Sequence, residues 1–302
     1  MAQAIVHKMP SWLVNMDQVS SFNSNPTTSM KFSSARQYFY QEIQQSDENI
    51  DLAKAALYIA QEEYPSLDPK EYLNTLDTMA AGVKERLPSS QYPLRIIQSI
   101  NKYLYDDLGF NGNTSDYYDP RNSFLNDVIQ RRLGIPITLS VVYLELARRV
   151  NFPMVGIGMP GHFLIRPDID EMEIFVDPFN RGEVMFMEDC QQQLNQLYGQ
   201  SVTLQPAFFE VVSRRKILWR ILNNLKIIYL NQQDLERSLS VIERILMLFP
   251  DLTTELRDRG LLYYRLGYRS AAEKDFTIYL EKAGDEDTTL IRHLLKQLRR
   301  EE

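Results

Sequence analysis

From Tyr229 onward the chain is in phase with itself at a spacing of 34 residues. Tyr229 pairs with Tyr263, Ser238 with Ala272, Ile242 with Phe276, Ile245 with Tyr279, and Pro250 with Gly284. No other feature constrains the fold as tightly. A unit that repeats its aromatic, small and apolar positions at this period is a pair of helices that cannot bury its apolar face alone and must stack on a copy of itself.

An aromatic, a small residue and two apolar positions in phase make the tetratricopeptide signature. The small residue stands where the two helices of one unit approach closely, and Gly260 occupies such a position in the second unit. Pro250 ends the second helix of the first unit. Residues 288–298, TTLIRHLLKQL read from Thr288, supply the capping helix that a stacked array needs. Such an array offers a concave helical surface to a protein or peptide partner.

Upstream the signal is also helical, from about residue 33 to 108. Four amphipathic segments follow one another, punctuated by Pro65, Pro88 and Gly109. Residues 111–120, NGNTSDYYDP, are a turn cluster. A helix is expected from Asn122 to about Leu133, with Asp119 or Asn122 as its cap and Arg121 paired with a carboxylate. A second helix begins at Pro136 and is apolar around most of its circumference, so it reads as a buried central helix. Proline costs nothing there, because the first N–H of a helix has no intrahelical partner.

After this helix the period changes to two. FPMVGIG, GHFLIRP and EMEIFVDPF read as three short strands, so the central helix packs on a small antiparallel sheet in an α+β fold. The segment 183–211 has mixed signals, with a short surface helix around Cys190. The expected divisions are a flexible tail over 1–32, a helical lobe over 33–110, a core over 111–210 and repeats over 211–302.

Gly156, Gly158 and Gly161 spell G-x-G-x-x-G, a dinucleotide fingerprint if a strand precedes and a helix follows. Here HFLIRPD follows, which alternates as a strand does, and Pro160 removes an N–H donor. The glycines read instead as a tight turn that presents His162 at the head of a strand. The next strand ends in Asp177, and side chains opposed across antiparallel strands lie about 5 Å apart at Cβ. An Asp beside a His is either a buried structural hydrogen bond or the orienting half of a nucleophilic triad.

Composition narrows the rest. The chain has 302 residues, with 40 acidic against 33 basic side chains and a net charge of −7, so no nucleic-acid partner is expected. Arg214, Arg215 and Lys216, and Arg299 with Arg300, read as solvated helix faces. Cys190 is the single cysteine, which suits a reducing, cytoplasmic setting and excludes an intramolecular disulfide. The three histidines lie far apart, so no metal and no cofactor is expected; a site built from His162, Asp177 and Asp119 has only one imidazole behind it. No run of 18 apolar residues occurs, hence no membrane span is predicted, and the first 36 residues lack the apolar stretch of a secretory signal. Nothing in the pattern speaks to oligomeric state.

YYDPRNSFLNDVIQRRLGIPITLSVVYLELARRVNFPMVGIGMPGHFLIR followed by FVDPFNRG resembles the transglutaminase-like domain of the SirB family, which joins that domain to tetratricopeptide repeats. The resemblance spans roughly residues 35–300. It implies a papain-like core: a helical lobe, then a central helix on an antiparallel sheet. It places His162 and Asp177 at the histidine and aspartate positions of active transglutaminase-like enzymes and puts Pro136 where their cysteine stands. A pyrrolidine ring has no lone pair to attack with, so the implication is a non-catalytic member that binds partners. The cleft candidates are Asp119, Arg121, Asn122, Thr138, Ser140 and Asn180, with Tyr229 and Tyr263 as repeat framework. A competing expectation is a residual hydrolase or acyl transferase that uses the hydroxyl of Thr138 or Ser140 with His162 and Asp177. Hydroxyls in a first helical turn bond most often to backbone.

Overall fold

A computed structural model describes residues 33–89, 92–169, 172–284 and 288–300. The expected tail over 1–32 lies outside the described residues. Two compact units divide the described chain, Ser33–Ile221 and Leu222 onward. Among the described residues no helix is long and apolar enough to cross a membrane.

The first unit opens with four helices: α1 (Ser34–Ile43), α2 (Leu52–Glu63), α3 (Pro69–Lys84) and α4 (Pro93–Asn101). Their starts are chemically marked. The side chains of Ser33, Asp51 and Asp68 accept hydrogen bonds from the otherwise orphaned N–H groups of Arg36, Lys54 and Lys70. Helix α4 runs on into a π-helical turn over Lys102–Asp107. Strand β1 (Asn111–Gly112) pairs in parallel with β2 (Leu133–Gly134).

Between β1 and β2 the expected single helix is two pieces, a 3-10 turn over Pro120–Asn122 and α5 (Leu125–Arg131). Arg132 takes a left-handed φ of 58° and stops α5. Helix α6 (Pro136–Arg149) is the central helix, with every residue from Ile137 to Ala147 buried. It packs against α2, α3, α4 and α5 and against two strands of the sheet, which leaves almost none of its circumference to water.

The sheet holds five strands where the two-residue period predicts three. They are β3 (Met154–Ile157), β4 (Leu164–Pro167), β5 (Phe175–Asp177), β6 (Glu183–Met185) and β7 (Val211–Val212), in the order β6-β5-β4-β3-β7. All neighbours are antiparallel, with Gly156 opposite Ile165 and Ile165 opposite Val176. Strands β6 and β7 escape sequence reading because three and two residues are too short to display a period, and pairing alone defines them. Helix α7 (Met187–Tyr198) covers the sheet through Cys190 and Leu194, which pack with Ile157, Met159, Leu164, Phe175 and Met185. The helix expected around Cys190 lies at the surface, with Glu188, Gln192, Gln196 and Tyr198 exposed, but the cysteine itself is on its inner face and fully buried.

The division between the units falls within α8 (Arg214–Asn231). The second unit continues with α9 (Leu235–Leu248), α10 (Thr253–Arg265), α11 (Arg269–Lys282) and α12 (Thr289–Arg300). Its core carries the in-phase residues: Ile242, Ala272, Phe276 and Tyr279 are fully buried, and Tyr263 is buried with them. A Cβ at Gly260 would stand 2.7 Å from the Phe276 ring, so the repeat's small-residue position is a steric requirement. Helix α12 buries Ile291, Leu294, Leu295 and Leu298 along one stripe, and its other faces are polar, as an end cap needs.

Candidate functional site

The three glycines of G-x-G-x-x-G have three separate steric duties. A Cβ at Gly156 would lie 2.6 Å from the buried Phe163 ring, and one at Gly158 would lie 2.8 Å from the Arg220 guanidinium. Gly161 has a φ of 76° and follows Pro160, and the His162 N–H donates to the Met159 carbonyl at 3.0 Å. Proline, then a glycine of positive φ, closed by an i to i+3 bond, is the make-up of a type II turn. The motif therefore builds a sharp turn under Arg220 and Phe163, whose ring the guanidinium overlies at 5.2 Å. No helix N-terminus follows it, and β4 begins at Leu164.

His162 leaves this turn half-buried. Carrying the β4–β5 register one step beyond the Ile165–Val176 pair sets Asp177 opposite Leu164, so His162 is its diagonal neighbour. Among the described residues no hydrogen bond joins the imidazole to Asp177; the carboxylate reaches it through charge. Burial pushes the imidazole below its usual range, and Asp177 opposes that push.

Asp177, 2% exposed, is occupied with its own turn. Its carboxylate accepts from the N–H of Phe179 at 2.9 Å, the N–H of Asn180 at 3.3 Å and the Asn180 amide at 2.8 Å. The helical lobe clamps the same turn. The Tyr105 hydroxyl donates to the Pro178 carbonyl at 3.0 Å, and the Asn101 amide donates to the Gly182 carbonyl at 2.6 Å. Tyr143 of the central helix holds Asn101 in turn, at 2.9 Å. Burial, reinforced by the Asp177 charge, pushes the Tyr105 phenol far above its ordinary range, so it stays a neutral donor. These three residues carry no chemical signature in the sequence. The one hint is Asn101, an amide ending an otherwise apolar face, at the point where α4 turns π-helical.

At the head of α6, Pro136 is the first helical residue and Ile135 its N-cap. Thr138 is fully buried; its hydroxyl donates to the Asn122 carbonyl at 2.6 Å and accepts from the Ile135 N–H at 3.2 Å. The Ser140 hydroxyl, also fully buried, donates to the Pro136 carbonyl at 2.7 Å. Both hydroxyl protons point into backbone carbonyls. Cys190 is no substitute: burial in the α7 core pushes its thiol up to about 11, so at neutral pH it is not a thiolate.

The motif before the central helix forms its own polar cluster. Asp119 caps the 3-10 turn, accepting from the Arg121 N–H at 2.9 Å, and pairs with Arg121 at 2.7 Å and Arg131 at 3.1 Å. Burial works against this carboxylate, but the two guanidiniums and the N–H hold it below the usual range. Asn122 is fully buried, bonded to Asn113 at 3.0 Å and to the Asp116 carbonyl at 2.7 Å. The Thr138–Asn122 bond ties this cluster to the head of α6. The Asp177 turn reaches the preceding loop through Phe179, whose ring meets Tyr117 edge-on at 6.1 Å. Among the described residues no group of three or more His, Cys, Asp or Glu side chains is arranged to hold a metal ion. Tyr229 and Tyr263 belong to the repeats; Tyr263 donates to Glu243 at 2.8 Å.

A buried central helix on an antiparallel sheet, with a histidine and an aspartate at neighbouring strand ends, defines a papain-like arrangement. Residues 70–223 match the transglutaminase-like superfamily, and the chain belongs to it. Residues 225–296 match the tetratricopeptide repeat. Relatives include the UPF0162 protein of Xylella fastidiosa, 41% identical over 243 residues that cover 78% of this chain and 85% of that protein. The UPF0162 protein of Vibrio cholerae is 33% identical over 181 residues, 60% of this chain and 67% of the relative. F-box only protein 21 of Mus musculus is 31% identical over 216 residues, covering 68% of this chain but only 33% of that longer protein.

Proposed function

We propose that this chain is a non-catalytic, SirB-type member of its superfamily that binds a protein or peptide partner. The repeats and the cleft beside His162 and Asp177 provide the binding surfaces. In this reading residues 33–210 form the degenerate enzyme-like domain and 211–302 the repeat domain. One observation carries it: the residue that opens the central helix is Pro136, and the hydroxyls that follow in that helix are buried and bonded to carbonyls. A nucleophile needs an accessible lone pair and a base within hydrogen-bond reach, and neither hydroxyl has them. Asp177 spends its carboxylate on the turn that follows it.

The second reading, a residual hydrolase or acyl transferase, requires Thr138 or Ser140 to turn out of these bonds toward His162. A screen on amide and ester substrates with wild type and His162→Ala separates the two. The expected outcome is no turnover with either protein. Turnover that disappears in His162→Ala establishes the enzyme reading instead. The binding reading is checked by partner capture from cell extract with and without residues 225–296. Loss of capture on deletion is expected, and unchanged capture removes the repeats from the function.

A further inference from the structure

The turn between β5 and β6 has a shape that its own residues do not favour. Arg181 and Gly182 both have positive φ, 55° and 71°, and the Glu183 N–H donates to the Asn180 carbonyl at 3.1 Å. Two successive positive φ values inside an i to i+3 bond are the make-up of a type I′ turn. Glycine, asparagine or aspartate suits the first of those places; an arginine there crowds its Cβ against its own backbone. The groups that offset this crowding lie on the helical lobe. The Arg181 guanidinium reaches Asp106 at 2.7 Å and lies 5.9 Å over the Tyr105 ring, both in the π-helical turn that ends α4. Helices widen in this way most often at functional sites.

The seat of the turn fits its backbone from two sides. A Cβ at Gly182 would run into the Asn101 amide, and one at Gly112 of β1 would stand 2.7 Å from both the Phe179 ring and the Phe179 carbonyl. Approaches that close admit glycine, so the turn rests directly on α4 and β1. Asn101 and Tyr105 bond to the Gly182 and Pro178 carbonyls, one toward each end of the turn. Tyr143 fixes Asn101 and ties the seat to the central helix. The Asp177 carboxylate is bonded to the N–H groups of Phe179 and Asn180, so it moves with this backbone.

We propose that Asn101 and Tyr105 are positioning residues: through this turn the helical lobe sets where the Asp177 carboxylate stands relative to His162. The charge beside the imidazole is then a property of the lobe as much as of the strand that carries Asp177. A shift of the π-helical turn reaches the His162 cleft through the Pro178 and Gly182 carbonyls. The role is the same whether the cleft binds a partner or turns over a substrate, so it stands apart from the binding reading.

The test uses the full chain and two readouts. The first is hydrogen exchange of the Phe179 and Gly182 amides, which donate to the Asp177 carboxylate and carbonyl. Asn101→Ala is expected to speed both about tenfold, the factor for one lost hydrogen bond, and to leave the amides of α6 unchanged. The second is the pH midpoint of the His162 Cε1–H resonance, on which Asp177 acts. Asp177→Asn is made in the wild-type chain and in Asn101→Ala. In the second background it is expected to move the midpoint by about half as much or less, because a charge interaction weakens with distance and with entering water. Gly112→Ala should reduce the Asp177→Asn shift in the same way, since it pushes on Phe179 and leaves every bonding side chain in place. Tyr105→Phe, which loses only the hydroxyl, should act in the same direction, and these two variants carry the test if Asn101→Ala does not fold. A full Asp177→Asn shift in these backgrounds, or exchange that rises equally throughout the first unit, overturns the proposal. Neither outcome touches partner capture through residues 225–296, so the binding reading stands or falls separately.

Discussion

His162 is held by what lies around it more than by any bond. Its imidazole is half-buried, shows no hydrogen bond among the described residues, and titrates below the usual range because burial outweighs the Asp177 charge. The sign of one experiment follows. Asp177→Asn removes the acidic charge that opposes burial at the ring, so the imidazole should titrate lower still, read from its Cε1–H resonance against pH. An unchanged or higher midpoint would mean the carboxylate does not reach the ring. Because the folded pKa is already depressed, His162 favours the folded state fully above the unfolded value of about 6.5. That contribution is lost as pH falls through the folded value. The same residue shows what sequence could not say: strand alternation brings Asp177 near, but only the register decides diagonal over opposed, and with it charge over hydrogen bond.

At the scale of elements, two helix contacts rest on polar groups far apart in sequence. Asp47, in the connection after α1, accepts from the N–H groups of Arg214 at 2.8 Å and Arg215 at 2.9 Å, so a residue 167 positions away caps α8. Asp47→Ala should cost about 1–2 kcal/mol, the usual worth of an N-cap, seen as a lower urea midpoint with unchanged slope. In the second unit Lys226 of α8 lies buried, its ammonium bonded to Glu255 at 2.8 and 2.7 Å and to Asp258 at 2.7 Å, both on α10. All three donors are used, so the charge is fully solvated by protein. Lys226→Met takes the ammonium from two buried carboxylates, of which Asp258 keeps the Arg257 guanidinium at 2.9 Å, and should destabilise by about 3–5 kcal/mol. Adding Glu255→Gln and Asp258→Asn should recover part of the loss, and no recovery would show that packing, not charge, sets the cost. Neither contact is visible in a periodicity plot, because each joins residues that local pattern does not relate.

On the scale of the whole molecule, Cys190 reports on the integrity of the first unit. Its thiol is fully buried in the core beneath the sheet and raised to about 11, so reaction with a thiol reagent needs the core to open. Labelling at neutral pH should be slow in native buffer and rise with urea in step with loss of helical signal. Fast native labelling would place the thiol in a mobile element and reopen it as a nucleophile. Sequence alone determined the parts that depend on local spacing. The 34-residue period dictated stacked helix pairs, the wide apolar circumference dictated a buried central helix, and Pro160 with Gly161 dictated the turn before His162. Those outcomes follow from i, i+3, i+4 geometry and backbone sterics, which short segments carry in full. The tertiary structure decided what depends on pairing and burial: two strands too short to show a period, a cysteine turned into the core, and the Thr138 hydroxyl bonded to the distant Asn122 carbonyl. Each of these is set by which atoms meet across many residues and how little water reaches them, and no local stretch of chain contains that information.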